Sequence, residues 1–245
     1  MLSEKPWRVD KAVRLLTAII FSFCVGGLTV GVLHRFAVPG FRNLDDPGVI
    51  LLGTLSFQGV AWVLIGFFLR AHRLTWREAF GFRGPELKAA LMLATGVAAA
   101  IVPLAWALQI GCGLLMKSLG WEPTVQTAVA LLENTTSVWL GLYFAFFSVI
   151  IVPVAEEFVF RGLLYPLLKQ LGFRRSAWFG VSFVFALIHQ DVTSFLPLFV
   201  LSLTLIWLYE RTDNLLAPIT THALFNATNL AWLFLGRSAV SHGAP

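Results

Sequence analysis

The stretch 138–168, VWLGLYFAFFSVIIVPVAEEFVFRGLLYPLL, decides how this chain is to be read. Its only charges are Glu156, Glu157 and Arg161. About 20 predominantly apolar residues suffice for a helix to cross the hydrocarbon core of a bilayer. The run therefore reads as a membrane span that carries ionisable groups, and such groups are costly there and mark function by default.

The rest of the chain has the same solvent preference. Of 245 residues, 58% are hydrophobic and 13% charged, where a soluble domain carries about 45–50% and roughly 25%. The mean hydropathy is +0.79. A charged fraction this small cannot cover a water-exposed surface. With 22 Phe, 9 Trp and two cysteines, intrinsic disorder and a disulfide scaffold are excluded as well. Cys24 and Cys112 lie in apolar runs and read as small core residues, a bridge between them being the less favoured alternative. The Phe and Trp abundance reads as lipid-facing bulk and interface anchoring. No internal repeat is visible.

Further apolar runs cover 14–34, 48–69, 89–116, 176–190, 193–209 and 215–236. The expectation is an all-α, polytopic membrane bundle of about seven spans (six to eight), residues 1–245 forming one integral domain. The first run is too long for a signal-peptide core and is kept as a span. With the N-terminus in the cytoplasm, thirteen of the eighteen Lys and Arg fall on the cytoplasmic side and four on the other, leaving Arg161 within a span. That bias follows the positive-inside rule. The +5 charge thus sets orientation and implies no nucleic acid. The loop 117–137 is expected outside, with a short interfacial helix over 124–132 and a glycosylation acceptor at Asn134 that matters only in a eukaryotic secretory setting.

Glu157 and Arg161 sit i, i+4 on one helix face and can pair. Glu156 points about 100° away, toward something else. An unpartnered carboxyl in low dielectric binds a proton more readily, as a general base near neutral pH must. Candidate partners come later: Phe185-Ala-Leu-Ile-His189, and His222-Ala-Leu-Phe-Asn226 with imidazole and amide on one face. A carboxylate, two histidines and an amide can hydrolyse a bond without a nucleophilic Ser or Cys. Read separately, the glutamates and Arg161 could be a structural ion network, and His189 or the His222/Asn226 pair could simply tie helices together. His34, His72 and His242 receive no role. His-Glu-x-x-His, Gly-x-Ser-x-Gly and Gly-Asp signatures are all missing. No metal is expected; two histidines and a glutamate leave zinc open but disfavoured.

The ordered set Glu156-Glu157-x-x-x-Arg161, Phe185-x-x-x-His189 and His222-x-x-x-Asn226, with 208–219 between the last two, resembles the CPBP family over residues 138–230. That family contains the type II CAAX prenyl proteases and bacterial proteins linked to bacteriocin processing and immunity. The resemblance implies an intramembrane endopeptidase acting on a CAAX-type or leader-peptide-type substrate. In it, Glu156 and His189 would activate water, His222 and Asn226 would stabilise the oxyanion, and Glu157 and Arg161 would support the site. Implied partners are membrane lipid and a peptide or protein, prenylated or not, in a multi-pass setting such as the bacterial plasma membrane. A non-catalytic adaptor or immunity protein on the same fold, and a proton-coupled transporter, are the alternatives.

Seven straight spans leave one inconsistency. His222 would lie about 10 Å in from the cytoplasmic end of its helix, and His189 about 20 Å from that end of its own. Pro153, Gly162 and Pro166 are expected break points of the over-long fourth span, which would put the site in a water-accessible cavity at a broken helix.

Overall fold

The computed structural model describes residues 5, 7–43, 46–82, 87–126, 129, 132 and 138–242. Their order is α1 (Val9–Arg35), α2 (Gly48–Ala71), the short α3 (Trp76–Phe80), α4 (Leu87–Ser118), α5 (Val138–Gln170), α6 (Ser176–Leu187), α7 (Val192–Thr212) and α8 (Leu216–His242). The protein is a polytopic helical bundle. Helices α1, α2, α4, α5 and α7 are long and apolar enough to cross a membrane. Helix α6, expected as a full span, has 12 residues and reaches about 18 Å, short of the ~30 Å of hydrocarbon. The helix expected over 124–132 is described only in part, residues 124–126 being non-helical and Val129 and Leu132 helical, and Asn134 lies outside the described residues.

Helix α5 does not break. It runs through Pro153, Gly162 and Pro166, with π-turns at Phe147–Ile151 and Phe158–Leu164. Each proline falls just after a π-turn. A proline lacks the N–H of a helical turn and its ring collides with the carbonyl four residues back; the wider π-turn accommodates both. Gly162 has a second reason to be glycine: a Cβ there would lie 2.8 Å from Cε1 of Phe80.

That contact belongs to an aromatic cluster that seats α5. Phe158 meets Phe80, Trp76 and Trp62 at centroid distances of 4.6, 5.1 and 5.2 Å. Trp7 packs edge-on to Phe68 at 5.8 Å and is buried. These rings depart from the reading of Trp and Phe as lipid-facing bulk, which the exposed Phe21, Phe67, Phe179 and Trp139 fit; between helices they fill volume that smaller apolar side chains would leave open. Cys24 is exposed and Cys112 half-buried, both unbridged, so Cys24 is no core residue.

One end of the bundle is laced by polar contacts. Lys5 Nζ pairs with Asp213 at 3.1 Å, Gln170 donates to the Lys5 carbonyl at 3.0 Å, and Tyr165 donates to Glu210 at 2.7 Å, beside Lys169. Thr75 and Glu78 cap α3 reciprocally. The chain then turns at Gly81 (φ +76°), where a Cβ would stand 1.8 Å from the Asp213 carbonyl oxygen, and Leu215 N–H donates to Phe80 O at 2.9 Å. This lacing fixes where α8 begins, and hence the height of His222. At the other end Asp191 caps α7, accepting from Thr193 N–H at 3.1 Å, and is held by the Thr124 and Ser194 hydroxyls.

Candidate active site

Glu156, Glu157 and Arg161 are buried where α5 passes between α6, α7 and α8. Arg161 Nη1 donates to Glu157 Oε1 at 3.0 Å, with both side chains fully inaccessible. Its second nitrogen, Nη2, donates to Ser202 Oγ at 2.7 Å and to the Ser202 carbonyl at 3.3 Å. The guanidinium also lies over the Phe185 ring, 4.5 Å from its centroid. A buried charge of this kind is tolerated only when paired and hydrogen-bonded.

Glu157 has a further partner that helical spacing alone did not show. His222 Nδ1 lies 2.9 Å from the same Oε1, while His222 Nε2 lies 3.8 Å from Glu156 Oε2. The two carboxyls therefore do not serve unrelated surroundings, as their angular separation suggested. The imidazole enters between them and offers one nitrogen to each. With Glu157 ionised, Nδ1 donates and the ring orientation is set.

Among the described residues, three of the seven buried side-chain polar atoms without a hydrogen bond lie here: Glu156 Oε2, Glu157 Oε2 and Arg161 Nε. Leaving such an atom unbonded costs about 1–3 kcal/mol. A carboxyl oxygen and an imidazole nitrogen 3.8 Å apart are too distant to bond directly, yet one water about 2.8 Å from each can bridge them.

The two other expected residues come close in different ways. His189, just beyond α6, is half-buried, and its Nδ1 lies 2.7 Å from the Phe185 carbonyl oxygen. A carbonyl can only accept, so Nδ1 carries the proton and Nε2 the lone pair. The Phe185 ring touches both imidazoles, at 4.9 Å from His189 and 5.7 Å from His222. The unequal depths expected from straight spans are thus reconciled: both rings abut one phenyl. Among the described residues no hydrogen bond joins His189 to Glu156. Asn226 Nδ2 donates to the Ser148 carbonyl at 2.8 Å, in the first π-turn of α5. A π-turn alters the backbone hydrogen-bond ladder and leaves a carbonyl for such a contact. One amide hydrogen remains for another acceptor.

Ser148 and Ser202 were not foreseen. A serine in an apolar run is too common to stand out, and the Ser148 contact uses backbone, which no side chain announces. Among the described residues no group of three or more His, Cys, Asp and Glu is placed to hold a metal ion.

Comparison with known proteins supplies an independent view of the same segment. A family model described as Type II CAAX prenyl endopeptidase Rce1-like matches residues 137–228. Two proteins of Lactococcus lactis subsp. lactis (strain IL1403) are similar over part of their length. The UPF0177 protein YaiF is 35% identical over 81 residues, 31% of this chain and 34% of the relative. The UPF0177 protein YxdF is 30% identical over 78 residues, 31% of this chain and 42% of the relative. The matches thus span well under half of either relative. No solved structure matches.

Proposed function

We propose that the chain is an intramembrane peptidase in which Glu156 activates a water, a reading supported by the match of residues 137–228 to the Rce1-like model of type II CAAX prenyl endopeptidases. The observation that carries this reading is the buried Glu156 Oε2, without a hydrogen bond and 3.8 Å from His222 Nε2. Glu156 takes a proton from the water as it attacks the peptide carbonyl, and the lone pair on His189 Nε2 assists from the Phe185 side. His222 acts with protons on both nitrogens, Nδ1–H held by Glu157 and Nε2–H turned to the oxyanion. The free amide hydrogen of Asn226 is the second oxyanion donor. Glu156 then passes its proton to the leaving amine, so that water is split across the bond and the carboxyl is regenerated. Arg161, clamped by Ser202, keeps Glu157 in place.

The substrate is a peptide or protein segment at the membrane, with a prenylated tail or a leader peptide both within the chemistry. The basic end carrying Lys5 and Lys169 faces the cytoplasm in this reading, the site lying inward from it. No metal takes part in the scheme, and a chelator is expected to leave turnover unchanged. The test is cleavage of dansyl-labelled peptides, with and without an S-farnesyl cysteine, by purified protein in detergent. Wild type is expected to cut at least one, and Glu156→Gln to slow it about a thousandfold. Undiminished cleavage by a folded Glu156→Gln protein contradicts the proposal. If the wild type cuts neither peptide, a non-catalytic adaptor becomes the better reading.

A further inference from the structure

Asn229, one turn beyond Asn226, has no part in the scheme above. His222, Asn226 and Asn229 are spaced i, i+4, i+7 and fall within about 60° of one another on α8. The adjoining face packs on α4: Thr221 Oγ1 donates to the Ala94 carbonyl at 2.9 Å, and Trp232 meets Trp106 at 5.2 Å between centroids. Asn229 stands between these two rows. Trp106 Nε1 donates to Asn229 Oδ1 at 2.6 Å. An indole N–H can only donate, so the contact decides which end of the amide is oxygen and turns that end to α4. That leaves the two N–H donors of the amide nitrogen with no hydrogen-bond partner among the described residues. Asn226 and Asn229 are both half-buried, within reach of a ligand.

We infer that Asn229 is a substrate-binding residue: its amide N–H donates to a backbone carbonyl of an extended peptide, two residues from the carbonyl under attack. Trp106 is its positioning residue. The inference rests on the peptidase reading, since it takes the oxyanion to lie between His222 and Asn226. Asn229 lies about 7.5 Å along α8 from the midpoint of those two, at 1.5 Å per residue. Two residues of extended chain cover about 6.7 Å, and a strand turns alternate residues to the same side. The helix thus presents donors at the repeat of a strand laid beside it. The contact is to backbone, so it selects an extended conformation rather than a side chain.

The experiment measures cleavage and binding of the dansyl-labelled S-farnesyl peptide by wild type, Asn229→Asp, Asn229→Ser and Trp106→Phe. Asn229→Asp keeps an oxygen for Trp106 and removes the donor. It is expected to raise KM five- to tenfold, the scale of one hydrogen bond, with kcat within twofold and an unchanged melting temperature. Asn229→Ser removes the donor without adding charge, is expected to move KM the same way, and carries the test if the aspartate variant does not fold. Trp106→Phe is expected to lower the melting temperature and to raise KM less. Wild-type KM in the Asn229 variants, or a change confined to kcat, overturns the inference and leaves Asn229 as a tie between α4 and α8. If wild type binds the peptide without cutting it, the peptidase reading fails, while the same fold-changes in Kd still decide the role of Asn229. If wild type neither binds nor cuts it, both are overturned.

Discussion

Helices α1 and α7 have nearly equal hydropathy and opposite surroundings. In the most apolar window of α1, 22% of residues are buried within the protein; in that of α7 the share is 56%. Helix α1 presents Ile20, Phe21, Phe23 and Leu28 outward. Helix α7 buries Thr193, Ser194 and Ser202 together with Leu201, Leu205 and Tyr209. Hydropathy says that a helix belongs in the membrane and nothing about its position there. The sparse polar residues carry that information, because in hydrocarbon a hydroxyl or a charge has to find its partner inside the protein.

The comparison breaks first at Arg161. Arg161→Leu removes the cation that joins Glu157 of α5 to Ser202 of α7, leaving a buried carboxylate without it. Breaking such a pair costs about 3–5 kcal/mol, and thermal melting in detergent is expected to drop sharply; an unchanged melting temperature would mean that the clamp does not hold the inner helices. Gly81→Ala should come next, at about 2 kcal/mol, because it combines a positive φ with a Cβ pressed on the Asp213 carbonyl.

Lys5→Met should cost under about 1 kcal/mol. Burial pulls the Lys5 ammonium below its usual pKa although Asp213 pulls the other way, so the charge gains little from its position, while a methionine keeps the apolar stem. With its folded pKa below 10.5, the wild type gains stability as pH rises toward 10.5 and loses it as pH falls through the lowered value. The Met variant should lack that dependence in melts taken across alkaline pH. The smallest effect belongs to α1: Phe21→Ala is expected to stay within about 0.5 kcal/mol, and a larger loss would place Phe21 against protein rather than lipid.

What was legible in the sequence follows from locality. Glu157 and Arg161 pair because i, i+4 spacing fixes their face whatever surrounds the helix. Long apolar runs announce their own solvent. The insertion of His222 between the two glutamates was not legible, since it depends on where α8 starts, which the contacts of Phe80, Asp213 and Leu215 decide from far away in the chain. Nor were the π-turns: Pro153 and Pro166 predicted breaks, and whether a helix breaks or widens depends on what packs against it. The inward turn of Trp7, Trp62 and Trp76 escaped for the same reason, as an aromatic ring suits a lipid interface and a core equally well.

The central claim is that adjacent carboxyls have different tasks, Glu156 holding the reacting water and Glu157 holding His222 and Arg161. The most direct measurement is the cleavage rate and melting temperature of Glu156→Gln and Glu157→Gln beside wild type. The account predicts that Glu156→Gln melts like wild type and loses about a thousandfold in rate, whereas Glu157→Gln loses stability as well as rate. A Glu156→Gln protein that folds and cuts at the wild-type rate would contradict it.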